Sequence, residues 1–306
     1  MSGGRQFFEE KLSTALNTAV LCVNSSNRPP GQRVASPGIT SGEVSATRYF
    51  RGTSNAAALA TRTAAQLYEV LLNLRQELGG EMLRDEFFPV LLKALIVHGA
   101  SWGSSNLRFE QVLKTSSNSR KFSEHVARFL GYGKVEPQRV FPCTEQRATL
   151  LGCGTLTDGS AEVYSIPLPP SLSAQKLWRR LTLTLAWLTP INPVHRAHRR
   201  AALWFEPPKH TLLSSKRQQA DWHAVRRGTV QHEILTEEKA VAFLDGDVLK
   251  VQVNCHEDAG KLDQEIPYAL VATLEVAEKI NLPIYEEIRQ RIRQAIIISP
   301  TVISTP

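Results

Sequence analysis

The sequence predicts a chain of mixed α and β structure, with a helical part up to about residue 136 and a β-rich part after it. Small and apolar residues recur at helical spacing from Asn55 onward. Residues 181–188 alternate with period two, as a half-buried strand must. Beyond Pro137, short strand-like runs are separated by Pro and Gly turns, which is typical of a β-sandwich. We therefore expect one domain over residues 1–136 and a β-sandwich over residues 137–306.

The longest predicted helix begins at Thr53 or Ser54, either of which can cap its N-terminus, and ends at Gly79 and Gly80. Its alanines and leucines predict that the helix is largely buried. Other helices are predicted over residues 5–19, 85–98, 107–114 and 121–130, and residues 285–297 form a last helix or strand. Strands are predicted over residues 20–23, 147–156, 161–167, 181–188, 248–253 and 268–276, and a loop over residues 24–42.

The bulk composition is that of a globular protein, with 42% hydrophobic and 21% charged residues. No apolar run approaches the roughly 18 residues that a membrane-spanning helix needs. The first residues carry no apolar targeting core. The four cysteines form no CxxC pair, which argues against a disulfide framework or a zinc site. These observations predict a cytoplasmic protein with reduced, mostly buried thiols.

The net charge of +7 is concentrated in residues 176–227, where eleven Lys and Arg residues are balanced only by Glu206 and Asp221. Such a stretch either forms a solvated basic face or meets an acidic partner or nucleic acid. It lacks aromatic interleaving and a recognition-helix pattern, so the solvated face is favoured and nucleic acid is not expected as a partner.

The run from Arg51 to Ala57 is the most informative for chemistry. A nucleophilic serine needs an exposed hydroxyl at a sharp turn, free backbone N–H groups for the oxyanion and a base within hydrogen-bond reach. Gly52 lets substrate and backbone approach closely, and a helix that starts beside Ser54 leaves unpaired N–H groups there. Taken alone, the Gly-Thr-Ser sequence is also an ordinary helix cap.

The run Gly52-Thr53-Ser54-Asn55-Ala56 resembles the nucleophile motif, GTSMA or GTSNA, of the subtilisin-like serine peptidases. Three further runs resemble segments of that family in the same order: residues 34–38, 92–100 and 131–135. Residues 51–68, 185–190 and 268–275 resemble a bacterial branch that adds a β-rich C-terminal domain. The resemblance covers most of the chain, but it is specific only over residues 51–100.

This resemblance implies an α/β fold, namely the C-terminal part of a subtilisin-like parallel-sheet domain followed by the β-sandwich domain. It also implies a serine-type endopeptidase without cofactor or metal, whose substrate is a peptide or protein. Ser54 would be the catalytic nucleophile, and Gly52, Thr53 and Asn55 would form its substrate and oxyanion neighbourhood.

The sequence departs from the family in what precedes the serine. Subtilisin-like enzymes place Asp, His and an oxyanion Asn before the serine, yet the 53 residues before Ser54 contain no histidine or aspartate. Asn17, Asn24 and Asn27 lie too close to the loop at residues 34–38 to be that donor. The chain is then a fragment, or one part of a split enzyme whose partner supplies Asp and His, or a remnant that only binds. In each case it is expected to be inactive alone.

The other histidines offer no clear base or metal site. His98 falls at a predicted helix C-terminus, where it interacts favourably with the helix dipole. His195 and His198 lie three residues apart in a predicted loop, without a third metal ligand. The remaining candidates are interpreted as surface or packing residues: His210, His223, His232 and His256. The alternative function is a non-catalytic binding module or pseudopeptidase that uses the basic β-sandwich.

Overall fold

A computed structural model describes residues 8–11, 20–23, 28–29, 31–77, 79–115, 117, 122–141, 143–206, 228–237 and 244–295. These residues form both helices and sheets. Their contacts divide the chain into two compact units, Met1–Gln66 and Leu67–Pro306. The boundary predicted near Pro137 stays a prediction. No helix in the described ranges is both long and apolar enough to cross a membrane.

Every strand pair in the described residues is antiparallel. The expected parallel, subtilisin-like sheet is therefore not supported in this part of the chain. Parallel neighbours need a crossover connection of a dozen or more residues, usually through a helix. The strands that lead to Ser54 are instead consecutive in the chain and pair as a hairpin.

In the part of the first unit that the structure describes, there are two small antiparallel sheets and the start of the long helix. The strands are β1 (Phe8–Lys11), β2 (Val20–Val23), β3 (Gln32–Ala35) and β4 (Thr47–Phe50), which pair β1 with β2 and β3 with β4. The helix predicted over residues 5–19 is wrong where β1 lies, and β3 occupies part of the predicted loop. Both errors concern strands that are defined by pairing with the next strand in the chain, which composition does not reveal.

Helix α1 (Thr53–Arg75) starts where the sequence predicts. It is less buried than predicted, because Ala57, Ala58 and Arg62 in its first half are exposed. Further along the helix, Leu67 and Leu71 are essentially without solvent contact. The small residues therefore favour the helix by propensity rather than by burial.

Within the described residues, the second unit continues from α1 through four more α-helices and nine strands. The helices are α2 (Phe88–His98), α3 (Gly103–Leu113), α4 (Phe122–Leu130) and α5 (Ile284–Ala295). The strands are β5 (Ala100–Ser101), β6 (Lys134–Val135), β7 (Arg147–Leu156), β8 (Ala161–Pro167), β9 (Arg179–Trp187), β10 (Ala201–Phe205), β11 (Val230–Glu237), β12 (Val248–Glu257) and β13 (Ile266–Val276). The predicted bounds of β7 and β8 are confirmed, and the last predicted element is a helix.

Two antiparallel sheets pack face to face and form the β-sandwich that the turn-rich sequence predicts. One sheet has the strand order β11-β9-β13-β7 and the other β10-β12-β8. A single apolar core lies between them and includes the large side chains of Trp187, Phe205 and Tyr268, all at most 2% exposed. Burial of this size dominates the stability of the unit.

Helix α2 covers the other face of the four-stranded sheet. Its Leu91 and Ala94 pack with Ala186, Ala269 and Val271 in a second apolar cluster. Strand β9 is thus buried on both faces rather than half-buried, although its sequence alternates. Its second face carries threonines, one of which bonds to a histidine of α2.

Candidate functional site

The β3–β4 hairpin is followed by Gly52, which lies two residues before the predicted nucleophile, Ser54. This glycine has φ of +144°, a conformation that favours glycine over other residues. A Cβ placed there would meet no atom within 4 Å, so the requirement for glycine is conformational rather than steric. The turn redirects the chain from the end of β4 into α1.

Ser54 lies in the first turn of α1 with its side chain exposed. The Ala56 N–H donates to the Gly52 carbonyl at 3.1 Å, and the Asn55 side-chain amide donates to the Phe50 carbonyl at 3.2 Å. Within the described residues, the N–H groups of Thr53, Ser54 and Asn55 have no acceptor. No acidic side chain occupies this first turn. The positive end of the helix is therefore free to stabilise an oxyanion next to the hydroxyl.

The loop between β3 and β4 is held as a compact turn. The Ser36 N–H donates to the Ala46 carbonyl at 3.0 Å, and the Glu43 carboxylate accepts from the Ile39 N–H at 3.1 Å. A Cβ at Gly38 would lie 2.6 Å from the Cβ of Glu43, so only glycine fits there. Close packing against Glu43 therefore explains why the loop at residues 34–38 contains a glycine.

A base for Ser54 is missing from this unit. Residues 1–66 contain no histidine and no aspartate in their sequence. The hairpin and first turn therefore supply an exposed hydroxyl and free amides, but neither of the side chains that would take and stabilise its proton.

Two buried histidines of the second unit are joined through one threonine hydroxyl. The carbonyl of Ala100 accepts from His232 Nε2 at 3.1 Å, which places the proton of the neutral ring on that nitrogen. His232 Nδ1 must then accept from Thr184 Oγ1, 2.7 Å away. The Thr184 oxygen accepts in turn from His98 Nδ1 at 2.8 Å. The hydrogen bond to the Ala100 carbonyl therefore fixes the tautomers of both rings.

The chain of hydrogen bonds continues on the other side of His98. With its proton on Nδ1, His98 accepts at Nε2 from Thr273 Oγ1 at 2.6 Å. Thr273 accepts from Thr149 Oγ1 at 2.8 Å. Helix α2 is thereby tied to β9, β11, β13 and β7 by one directional network.

Burial keeps both rings neutral. It lowers the pKa of His98 well below its ordinary value, and Coulombic interactions with His232, Arg139 and Arg147 lower it further. Burial also lowers the pKa of His232 to about 4, and Arg139 adds to the shift while the Ala100 carbonyl opposes it. With every ring nitrogen engaged, these histidines hold the fold together and have no free nitrogen to act as a base.

Among the described residues, the other histidines do not form a site. His195 Nδ1 accepts from the Ala197 N–H at 3.1 Å in a loop, and no cluster of three metal-binding side chains occurs in the residues that the structure describes. Exposed His256 pairs with Asp158, its Nδ1 lying 2.6 Å from Oδ1, and this pairing raises the pKa of His256. The nearby hydroxyl of Ser160 is occupied by the backbone of Thr157. His210 and His223 lie outside the described residues.

The prediction of a solvated basic face is wrong for three of its arginines. Arg179 is 2% exposed and donates to the carbonyls of Leu172 and Gln175. Arg180 pairs with Glu275, and Arg199 pairs with Asp258 at 2.6 Å. These cations stabilise the sandwich internally. Residues 207–227, which hold five of the eleven basic residues, lie outside the described ranges.

Comparisons with known proteins give little to set beside this geometry. No family model and no curated protein matches the chain. Among solved structures, a chain of the Cyanophage Pam1 capsid asymmetric unit is similar at 14% identity and a TM-score of 0.24, over 43% of this chain and 83% of that chain. A TM-score of this size does not establish a shared fold.

Proposed function

We propose that this chain carries the nucleophile of a subtilisin-like serine endopeptidase, with Ser54 attacking the peptide bond. The observation that carries the proposal is the geometry at the start of α1. An exposed serine follows a positive-φ glycine and lies among three amides without an acceptor in the described residues. A helical first turn free of acidic residues favours the negative charge of a tetrahedral intermediate.

In the proposed reaction, Ser54 Oγ attacks the scissile carbonyl carbon, and the Ser54 N–H donates to the oxygen that becomes negative. A histidine from outside this chain takes the hydroxyl proton and gives it to the leaving amine, and an aspartate orients that histidine. The resulting acyl-enzyme ester is then hydrolysed by water. The parallel sheet of the family belongs to the same proposal and would accompany the segment that bears Asp and His.

Without that segment the chain should hydrolyse peptides very slowly. Loss of triad members lowers turnover by roughly 10⁶-fold in subtilisin. The absence of the base is the dominant effect, because an un-ionised serine hydroxyl is a weak nucleophile.

The proposal is tested by combining the chain with any reading frame at its native locus that encodes Asp, His and Asn in that order. The pair is expected to cleave a denatured protein substrate, and Ser54→Ala is expected to abolish the cleavage. Ser105→Ala is the matched control, because Ser105 is also an exposed serine two residues after a positive-φ glycine, Gly103, in the first turn of a helix. Cleavage that survives Ser54→Ala would contradict the mechanism, and a combination that cleaves nothing would leave binding by the β-sandwich as the function.

A further inference from the structure

Strand β7 forms an edge of the four-stranded sheet, and its outward backbone groups can be identified. The Val276 N–H donates to the Gln146 carbonyl, so residue 146 faces β13. Arg147 exchanges both backbone bonds with Thr144 on the other side. Since the direction alternates along an antiparallel strand and the register with β13 is unbroken, the backbones of Thr149 and Leu151 also face away from β13.

These outward groups have no hydrogen-bond partner within the described residues. They are not exposed on a flat surface, because a cavity of about 250 Å³ runs beside residues 148–151. Its lining includes four apolar side chains, Leu74 and Leu83 together with Ile288 and Ile292 of α5. We call this cavity, with the outward edge of β7 along it, the β7 groove.

The rim of the β7 groove is positively charged. Arg289 and Arg293 of α5 both line it. Arg289 pairs at 3.3 Å with Glu77, which also lines the groove. Arg293 is exposed and has no ion pair within the described residues. An occupant with a carboxylate would therefore find one uncompensated cation.

We propose that the β7 groove binds an extended peptide segment that adds to β7 as a further strand. The outward N–H and C=O groups of Thr149 and Leu151 would pair with the backbone of the peptide. Alternate apolar side chains would enter the leucine and isoleucine walls, and an acidic side chain would pair with Arg293. Strand addition satisfies the unpaired edge, which a compact apolar ligand cannot do. The proposal does not depend on the chemistry of Ser54.

The first test is amide hydrogen exchange of the full chain, resolved by residue. The N–H groups of Leu150 and Gly152, which face β13, should exchange at least about tenfold more slowly than those of Thr149 and Leu151. Equal protection of all four in the free protein would overturn the proposal, because the edge would already be covered by the chain itself.

The second test selects binders from a random eight-residue peptide library displayed on phage. Selected peptides should alternate apolar residues with at least one Asp or Glu, and a synthetic copy should slow exchange at Thr149 and Leu151. Methylation of the backbone nitrogens that face β7 should weaken binding about tenfold or more. Selection of no peptide, or of peptides that protect other amides only, would overturn the proposal.

Two variants of α5 distinguish a specific contribution of Arg293 from a general effect of removing positive charge. Arg293→Gln should weaken an acidic peptide about two- to fivefold, as expected for one exposed charge pair. Arg291→Gln on the same helix is the control, because Arg291 pairs with Asp245 and does not line the groove. Equal effects of the two variants would contradict a role for Arg293. Peptide binding should be unchanged by Ser54→Ala, so this proposal and the peptidase proposal fail separately.

Discussion

The hydroxyl of Thr184 bridges two buried imidazoles, accepting from His98 Nδ1 at 2.8 Å and donating to His232 Nδ1 at 2.7 Å. The two rings come from α2 and β11 and meet edge to face with centroids 6.3 Å apart. Each hydrogen bond in the network has one direction, so adding a proton to either ring leaves two donors facing each other. This arrangement makes the attachment of α2 to the sheet sensitive to acid.

We expect the free energy of unfolding to fall with acidification below about pH 6.5. Both histidines have a folded-state pKa below the unfolded value near 6.5, so the unfolded chain binds more protons there. Their contribution to stability is fully present above pH 6.5 and is lost progressively as the pH falls below it, in the case of His232 down to its folded-state pKa of about 4. The slope should approach roughly 1.4 kcal/mol per pH unit for each ring.

Urea unfolding at pH 7.5, 6.5, 5.5 and 4.5 measures this slope. The exposed His256 serves as the comparison, because the pKa of His256 is raised rather than lowered. His256→Gln should leave the acid destabilisation in place. Stability that stays constant between pH 6.5 and 4.5 would show that the two buried rings are not neutral and hydrogen-bonded as described.

Removing the bridging hydroxyl should be costly. Thr184→Val leaves the Nδ1–H of His98 and the Nδ1 of His232 without partners in a buried site, which costs about 2–6 kcal/mol for the two groups. Thr182→Val is the matched control, since Thr182 is also buried on the same face of β9 and has no side-chain hydrogen bond among the described residues. That control should change stability by less than about 1 kcal/mol. Similar losses for both variants in urea titrations would argue against a bridging role.

The cysteines should differ sharply in reactivity. Cys143 is exposed, whereas burial raises the pKa of Cys153 to about 11 and that of Cys255 to about 12. Since the thiolate is the reactive form, a disulfide reagent at pH 7.5 should modify Cys143 first and reach Cys153 and Cys255 only on unfolding. Peptide mapping of the labelled chain measures the order, and Cys143→Ser should remove the fastest phase. Rapid labelling of Cys153 in the folded chain would contradict the packing against α2.

Substitution of two glycines distinguishes the cost of backbone strain from a specific effect on the nucleophile. Gly52 and Gly42 both have positive φ, +144° and +87°, and a Cβ added at either position would have no atom within 4 Å. Changing either to Ala should cost about 1–2 kcal/mol of conformational strain. Only Gly52→Ala should also lower the rate at which Ser54 is acylated, because Gly52 alone sets the turn before α1. Equal acylation rates in the two variants, measured by mass spectrometry, would contradict that role.

Local features of this fold can be predicted from the sequence better than long-range ones. The start of α1 and the bounds of β7 and β8 follow from capping residues, periodicity and turns that lie within a few residues of one another. Strand β11 escapes prediction, because its Gln231, His232 and Glu233 are polar yet at most 3% exposed. Gln231 is satisfied by the backbone of Phe205, 26 residues away, and such a partner leaves no periodic signal.

In the candidate site, too, the local features can be predicted from the sequence and the long-range ones cannot. The Gly-Thr-Ser run is contiguous, so Ser54 and its free amides can be proposed from sequence alone. The histidine network joins residues 86 and 175 positions apart in the chain. No spacing rule connects His98 with Thr184 and Thr273, and the sequence identifies His98 only as a residue at a helix end.

The most direct measurement of the central claim is covalent labelling by a fluorophosphonate, read by mass spectrometry of the chain combined with an Asp- and His-bearing segment from its locus. We expect one adduct per chain, located on Ser54, absent from Ser54→Ala and retained in Ser105→Ala. A chain that acquires no adduct in the active combination, or acquires it on another residue, would contradict the assignment of Ser54 as the nucleophile.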